Sequence, residues 1–585
     1  MFGILHELQR RNVLRAAVLY ATSAWALGQG IAALGPSLGA PEWSVRWFLV
    51  AAVIGFPFWF AFAWFYEFTP DGIKRESEVD ADTPTLRATG RRLDFWIIGA
   101  LSIAVVLLLT DRFIGHGETS STNAIAEKSV AVLPLVNESG DANALYFSDG
   151  LSEGFINALS RFAGLKVIGR ASSFQFRNSK DPVNVIGAKL GVAHLLEGSV
   201  QRAGDTVRIS AELINASDGT TLWSERYDRP YTDLFKLQDD ITNAVATALK
   251  AKLLGDGTTL QTDRPPGGNL AAYNAFLEGE FNRLRNTEAD FHKAIDAYNT
   301  AIQLDPRYAQ AYAELSISWI ELAGNFLSGT AQQQAYAQAR KAADTALALA
   351  PNLAGSHNAR GALLLTADSD WAGAEAEYRR ALQLDPNNVA AKTNLALVLA
   401  TLGHLEQAVD LTRQALAADP LKATIYSNLT GYLQPLGHLD EAEQAIRKAI
   451  ELQPAAVSYR EVLATIEIQR GDAKAALETA RAEPAGALQD IAVAFALQIG
   501  ANRAAADSAL KALTAKHGND APYQIAQTYA LRKNTNEMFA WLARARTLND
   551  PGLLQLLYDP FILPYRHDPR FAALCKQMKL PVPEG

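Results

Sequence analysis

The sequence predicts a multi-domain protein with three membrane-spanning α-helices, then an α/β domain, and then an all-α solenoid of helical repeats. Three observations support this fold class. Long uncharged apolar runs occur only within positions 1–113, alternating β-type segments with hairpin turns follow them, and alanines and prolines recur in phase after residue 270. At about 100 to 200 residues per domain, a chain of 585 residues is long enough for several such units.

Composition excludes several classes of protein. The chain has 54 Lys and Arg against 62 Asp and Glu, a formal net charge of -8, so it lacks the basic excess expected of a general nucleic-acid binder. Cys575 is the single cysteine, which excludes an internal disulfide framework and a zinc site built from cysteines. We therefore expect no nucleic-acid partner, no metal site and no cofactor.

Three apolar stretches predict a membrane region over residues 1–113. They cover about 16–34, 47–66 and 95–110, close to the roughly 20 residues that cross a hydrocarbon layer as a helix, although the third has only 16. Six of the ten tryptophans precede residue 100, as expected for side chains at a lipid headgroup boundary. The sequence therefore predicts contact with a lipid bilayer.

Basic residues around these stretches predict an orientation. They are concentrated in the segment 1–15 and in the loop 67–94, which the positive-inside rule assigns to the cytoplasm. Three spans then carry everything after residue 112 across the membrane, which in a bacterium is into the periplasm. This expectation depends on the short third span, since without it the large domains would be cytoplasmic.

An α/β domain is predicted over residues 128–254, between polar linkers at 114–127 and 255–270. Apolar alternation and turn residues at 203–205 and 217–219 predict hairpins among the last three strands. The predicted strands are 129–135, 165–168, 192–201, 206–213 and 221–227, and the predicted helices are 150–162, 183–190 and 234–253.

A helical repeat is predicted over residues 271–585. Prolines at 306, 351, 386, 420 and 454 recur at intervals of 45, 35, 34 and 34, and alanines lie five and twelve positions before each of them. Small residues at two fixed positions allow paired helices to approach closely, and the proline ends the second helix. The extra length of the first interval is expected near 325–334, degenerate repeats over 457–550, and a capping tail over 558–581.

These motifs resemble known families. The phased alanines and proline resemble the tetratricopeptide repeat. Segments 130–134 (VAVLP), 146–151 (YFSDGL) and 195–200 (LLEGSV) resemble the TolB amino-terminal-like, FlgO-type domain that precedes such repeats in many Gram-negative bacterial proteins, and the opening segment 1–15 resembles a membrane-anchored subgroup. The resemblance implies envelope or regulatory association and no agreed catalytic residue. Together with the predicted spans and their orientation, it predicts a multi-pass protein of the bacterial cell inner membrane with a cytoplasmic amino terminus and periplasmic carboxyl-terminal domains.

The repeat groove is the candidate binding site. Its concave side is expected to be lined by the first helix of each pair. Asn394 and Asn428 occupy one repeated position of that helix, and Arg360 occupies it one repeat earlier. Their amides and guanidinium group suit the backbone or carboxylate of an extended peptide. Asparagine is also the usual residue at this position, so a structural role is the alternative.

Possible catalytic signals are sparse. Residues 150–154 fit the G-x-S-x-G pattern around Ser152, but the alternative is a glycine-rich helix start with Asp149 near its cap. Four carboxylates could gather into a cation site, with solvated or hairpin-pairing side chains as the alternative. They belong to Asp149, Glu153, Glu197 and Glu225.

The functional prediction is a non-catalytic scaffold that is anchored in the bacterial inner membrane and binds a protein partner in its repeat groove. The alternative is a membrane regulator of signal transduction whose α/β domain senses a ligand or partner. A serine hydrolase that uses Ser152 is a third hypothesis. The sequence leaves the partner, the pathway and the oligomeric state open.

Overall fold

The structure is a computed structural model that describes single residues and short stretches between 17 and 75, and then residues 126–140, 145–253 and 264–583. The chain forms two compact units, Met1–Asn123 and Ala124–Gly585. In the first unit, the Tyr20 hydroxyl donates a hydrogen bond of 2.9 Å to the carbonyl of Ala52. Strands β1 (Tyr66–Thr69) and β2 (Gly72–Arg75) pair antiparallel in the same unit.

The predicted membrane region requires a correction. Within the described residues, no helix is both long and apolar enough to cross a bilayer. Most of the stretches 16–34, 47–66 and 95–110 lies outside the described residues, and Tyr66, assigned to the end of the second span, begins strand β1. For the described residues, the prediction of three transmembrane helices is wrong, and the multi-pass inner-membrane localisation that depended on it conflicts with this finding. The physical reason at Tyr66 is the antiparallel pairing of β1 with β2, because the chain must reverse direction between these strands and a continuing helix cannot do so.

The α/β module occupies residues 126–253 of the second unit. Its strands are β3 (Ser129–Val132), β4 (Val136–Asn137), β5 (Phe162–Ala163), β6 (Lys166–Val167), β7 (His194–Ala203), β8 (Thr206–Asn215), β9 (Thr221–Pro230) and β10 (Lys252–Leu253). Its helices are α1 (Leu145–Leu159), α2 (Arg170–Ser173), α3 (Val183–Leu190) and α4 (Leu234–Ala248). The main sheet has the order β6-β3-β7-β8-β9, with β3 parallel to both neighbours and β7 to β9 forming an antiparallel meander.

Both faces of this sheet are covered near its centre. Val130 and Val132 point to α1 and α4, whereas Ala131 points to the opposite face, where Ile186 and Leu190 of α3 pack. Successive side chains of a strand point to opposite faces, so a strand buried on both sides is apolar throughout. This explains the uninterrupted apolar run that predicts β3.

Within the described segment 264–583, sixteen helices form eight antiparallel pairs. The first helices of the pairs are α5 (Leu270–Arg283), α7 (Ala309–Phe326), α9 (Ala354–Thr366), α11 (Val389–Thr401), α13 (Ala423–Leu433), α15 (Tyr459–Gln469), α17 (Ala487–Ile499) and α19 (Pro522–Leu531). The second helices are α6 (Glu288–Leu304), α8 (Gly329–Leu349), α10 (Trp371–Leu384), α12 (Leu405–Ala418), α14 (Leu439–Leu452), α16 (Ala473–Arg481), α18 (Arg503–His517) and α20 (Thr535–Thr547). Helix α21 (Pro569–Gln577) follows near the carboxyl terminus.

The phased alanines lie on the second helices, at the contacts between helices. All ten have no exposed surface: they are Ala294, Ala301, Ala339, Ala346, Ala374, Ala381, Ala408, Ala415, Ala442 and Ala449. A methyl group at these positions lets the paired backbones approach closely, and a larger side chain would separate them. The extra length of the first proline interval extends α7 to 18 residues and α8 to 21 instead of forming a loop.

The module and the first repeat share one hydrophobic core. Helix α1 packs on α5, and the position of a Cβ atom on Gly150 would lie 2.6 Å from the Leu277 side chain. The Tyr231 hydroxyl donates a hydrogen bond of 2.7 Å to Asn274 of α5. The α/β module is therefore attached to the first repeat by packing as well as by the linker.

Gly361 tests how tightly a repeat is packed. A Cβ atom there would lie 2.8 to 3.0 Å from the ring of Tyr378 on the paired helix. Because this ring is fully buried, we expect Gly361→Ala to lower the free energy of unfolding by about 1–3 kcal/mol through overpacking. The measurement is the urea unfolding midpoint followed by circular dichroism.

Gly431 provides the matched control. It also lies inside a first helix, α13, but no atom lies within 4 Å of its Cβ position. Gly431→Ala should raise stability by up to about 1 kcal/mol, because alanine has the higher helix propensity. Equal effects of the two substitutions would contradict the packing argument.

Candidate functional site

The inner surface of the repeat array is formed by the first helices. Each first helix packs against the next first helix along the array, whereas consecutive second helices make only marginal contacts with one another. Helices on the inside of a curved stack are closer together than those on the outside, so the first helices line the concave side. We call this surface the groove.

The three predicted binding residues all lie on first helices. The Arg360 guanidinium on α9 forms an ion pair of 2.8 Å with Asp344 of the preceding repeat. The Asn394 amide on α11 donates a hydrogen bond of 3.4 Å to Asn358 on α9. Asn428 on α13 is exposed. All three residues therefore lie on first helices, and two of them are already bonded to neighbouring repeats.

The carboxyl-terminal segment 551–583, which we call the tail, lies along the groove. Its Tyr558 ring packs edge-on against Tyr432 of α13 at 5.7 Å, and its Phe561 ring packs against Phe495 of α17 at 5.8 Å. Further along, the indole nitrogen of Trp371 donates a hydrogen bond of 2.9 Å to the carbonyl of Met578. The sequence predicted a cap for this segment but not its path across several repeats.

Asp559 anchors the tail. Its carboxylate accepts hydrogen bonds from the Tyr523 hydroxyl at 2.8 Å and the Gln527 amide at 2.7 Å, both on α19, and from the backbone amides of Phe561 and Ile562. The side chain is almost fully buried. Burial raises the pKa of Asp559, and these hydrogen bonds oppose that shift. The groove thus already binds one aromatic segment of the same chain, through ring contacts and a buried carboxylate.

The α/β module also contacts the repeat array at the loop between α12 and α13. The Asp419 carboxylate accepts hydrogen bonds from the backbone amide of Ser172, at 2.7 Å, and from its hydroxyl. The Ser172 hydroxyl in turn accepts from the Leu421 amide, and the Gly169 amide donates to the Ala418 carbonyl, both at 2.8 Å. These bonds connect segments that are far apart along the chain, so no local sequence signal predicts them.

A cluster of charged groups is buried between α5 and α7, which are the first helices of the first two pairs. Arg283 of α5 lies 3.3 Å from Glu280, 3.6 Å from Glu314 and 3.4 Å from Glu321, the last two on α7. Burial, together with the charge of Glu280, raises the pKa of Glu314 to about 8. One guanidinium thus faces three carboxylates, and a raised pKa reduces the uncompensated negative charge at neutral pH.

Of the four carboxylates considered for a cation site, two form ion pairs with arginines and two lie on different strands of the sheet. Asp149 forms an ion pair of 2.6 Å with Arg177, and Glu153 forms one of 3.2 Å with Arg170. Glu197 and Glu225 lie on strands β7 and β9 of the sheet. Across the described residues, no group of three or more His, Cys, Asp or Glu side chains is arranged so that it could hold a metal ion.

Ser152 does not occupy a strand-to-helix elbow. It lies inside helix α1 and is fully buried, and its hydroxyl donates to the carbonyl of Ser148 at 2.8 Å and accepts from the amide of Leu135 at 2.9 Å. His194 is the only histidine that follows Ser152 in the sequence of the α/β module, and it contacts the Ser129 carbonyl through Nδ1 at 3.0 Å. A nucleophile elbow requires an exposed serine beside its base, which this arrangement does not provide.

Comparison with known families assigns the repeats. Residues 365–430 and 423–455 match family models of the tetratricopeptide repeat. This part of the chain is a tetratricopeptide repeat array. Residues 126–244 match the model described as HilA/YgeH-like transcriptional regulator, second domain, which differs from the TolB amino-terminal-like domain that the motifs suggested.

A curated relative is also similar to part of the chain. A "Putative adenylate cyclase 3" of Rhizobium meliloti (strain 1021) is 37% identical over 196 residues, which are 33% of this chain and 32% of that protein. The chain therefore matches about a third of that relative's length.

Two solved structures match the chain at lower identity. The thermophilic repeat protein TTC0263 of Thermus thermophilus is 20% identical, with 34% of this chain and 100% of that chain covered and a TM-score of 0.29. The pilF protein of Pseudomonas aeruginosa is 19% identical, with 38% of this chain and 98% of that chain covered and a TM-score of 0.30.

Asp419→Ala tests the contact between the α/β module and the loop that joins α12 to α13. The substitution leaves the Ser172 amide without its acceptor, so we expect a loss of about 1–3 kcal/mol of docking stability. Hydrogen exchange measured by mass spectrometry should become faster in peptides that contain Ser172 and Leu421. Asp419→Asn keeps an acceptor oxygen and should retain slow exchange; if both variants exchange like the parent, the contact does not hold the module.

Glu461, on the first helix α15, makes the stability of the folded chain depend on pH. Burial, and then the charges of Glu483 and Asp559, raise the pKa of Glu461 from 4.5 to about 8. The folded chain therefore holds a proton that the unfolded chain releases, and stability falls as the pH rises from 4.5 to 8, by at most about 1.4 kcal/mol per pH unit for this group.

Glu461→Gln isolates this contribution. The urea unfolding midpoint of the parent should fall more steeply between pH 5 and 8 than that of the variant, because glutamine does not titrate. Parallel pH profiles of parent and variant would show that Glu461 titrates normally.

Proposed function

We propose that this protein is a non-catalytic scaffold that binds an extended segment of a protein partner in its repeat groove. Tetratricopeptide arrays offer concave surfaces suited to extended chains. The observation that carries the proposal is the tail, a segment already bound to first helices through aromatic contacts and the buried Asp559 carboxylate. The chemistry that holds this segment also suits a segment of another protein.

Arg360, Asn394 and Asn428 are the proposed partner-binding residues. Asn428 lies one helical turn before Tyr432, so an exposed amide adjoins the position where the tail packs. Its exposure leaves both its donor and its acceptor accessible to a peptide backbone. Arg360 adds a cation for an acidic group, although its pairing with Asp344 reduces that charge.

A second proposal concerns the α/β module. We propose that it senses a ligand or partner and changes the accessibility of the groove, because Asp419 and Ser172 connect it directly to the loop between two repeats. The match to a transcriptional-regulator domain supports a regulatory use, and the motifs of residues 130–200 support a relationship to TolB amino-terminal-like domains.

Selection of displayed peptides on the full chain tests the groove proposal. Peptides that bind the parent should lose at least about tenfold in affinity, or roughly 1.4 kcal/mol, on the triple variant Arg360→Ala, Asn394→Ala, Asn428→Ala, measured by calorimetry. The matched control changes three polar residues with the same repeat spacing on second helices, Arg380→Ala, Gln414→Ala and Lys448→Ala. Equal affinity for both triple variants would place peptide binding outside the groove.

A further inference from the structure

Strand β9 is an open edge of the main sheet. It pairs with β8 on one side, and in the part of the chain that the structure describes no strand pairs with its other side. Eight of its ten residues are exposed, whereas β8 has one exposed residue in ten. The outward backbone amides and carbonyls of a ten-residue edge strand can accept another strand.

The side chains of β9 restrict which strand can pair there. Its exposed edge carries four charges in five consecutive positions, Glu225, Arg226, Asp228 and Arg229, around Tyr227. Charges on an open edge disfavour pairing with most strands, because like charges directly opposite one another are destabilising. A partner strand must therefore present the opposite charges in matching order.

We propose that β9 pairs antiparallel with β9 of a second copy of this chain, centred on Tyr227. In a two-fold symmetric antiparallel pair, each residue faces the one at the same distance on the other side of the centre. A pair centred on Tyr227 sets Glu225 opposite Arg229 of the second copy and Arg226 opposite Asp228 of the second copy. Symmetry repeats both contacts, so all four charges meet an opposite charge.

Two-fold pairs centred on other residues of the charged segment do not set opposite charges against one another. A pair centred on Glu225, Arg226, Asp228 or Arg229 places that charge directly against its own copy. A pair centred on Ser224 avoids this but sets Arg226 opposite Leu222 and Glu225 opposite Trp223, with no opposite charges. The charge order along β9 therefore selects the register centred on Tyr227.

Both faces of the sheet take part in this pairing. The face that carries Glu225, Tyr227 and Arg229 is the one covered by α4, where Tyr227 packs against the core of the module. On the other face, Asp228 already forms ion pairs of 2.5 Å with Arg208 and 3.8 Å with Arg226. A second Arg226 would extend these pairs across the interface.

Charge exchange tests the partner and the register. Sedimentation equilibrium of the full chain should show a dimer, and Arg226→Glu or Asp228→Arg alone should raise the dissociation constant at least about tenfold, because each sets like charges opposite one another. The double variant with both changes restores opposite charges and should return to within about threefold of the parent. Lys180→Glu, an exposed charge reversal outside β9, is the control and should not change the dissociation constant.

Two results would overturn the proposal: a parent chain that is monomeric up to about 100 µM, or a dimer whose dissociation constant the single charge reversals leave unchanged. The first would leave β9 to a strand of another protein. The second would place a dimer contact elsewhere on the chain.

Disulfide trapping tests the centre of the pair independently. Two cysteines at position 227 would lie directly opposite one another, with Cα atoms about 4.5–5.5 Å apart, within reach of a disulfide bond. Oxidised Tyr227→Cys should run as a covalent dimer on a non-reducing gel. In Ser224→Cys the two cysteines would be six positions out of register, roughly 20 Å apart, and should remain free.

The native cysteine does not interfere with this readout. Cys575 is fully buried, and burial raises the pKa of its thiol to about 11, so it remains protonated at neutral pH. Equal cross-linking of Ser224→Cys and Tyr227→Cys, or none in Tyr227→Cys when circular dichroism shows that it is folded, would contradict the register.

Discussion

The close approach of paired helices at the buried alanines is the constraint on which the rest of this structure depends. Ten alanine methyl groups with no exposed surface separate the helices of five successive repeats. Because each methyl allows the backbones to approach to the same distance, each repeat adds a similar rotation, and the array curves. The curve brings the first helices together on its inner side and creates the groove.

The groove is largely covered by other parts of the same chain. A curved array exposes apolar side chains on its inner side, and these must be buried or solvated. The α/β module buries those of the first repeats in a shared core, and the tail buries Tyr432 and Phe495 further along. The proposed partner binding therefore concerns the exposed parts of the groove, such as the surface around Asn428, and any exchange of the tail for a partner segment.

Several buried carboxylates are paired with side chains or backbone groups of other elements of the fold. Asp149 is paired with Arg177, Asp559 with Tyr523 and Gln527, and Asp419 with Ser172. Carboxylates that look available in the sequence are thus used to join elements, and this explains why counting acidic residues suggested a cation site that the described residues do not form. The Ser152 pattern fails for a similar reason, because the glycines that suggest an elbow instead let α1 pack closely, Gly150 against Leu277 and Gly154 near Tyr273.

Sequence alone determined the hairpins of the α/β module and the helix pairs of the phased repeats. The repeat period predicted the helix pairs through Pro454, and alternation with turn residues predicted the hairpins of β7 to β9, because both patterns reflect contacts between adjacent segments. Only the tertiary structure decided that the tail crosses the groove, that Asp419 holds the module and that Tyr66 begins a hairpin strand. Apolar composition indicates that a segment is buried, but it does not identify the element that packs against it. Surfaces that meet only after the repeat array has curved leave no periodic pattern in the sequence.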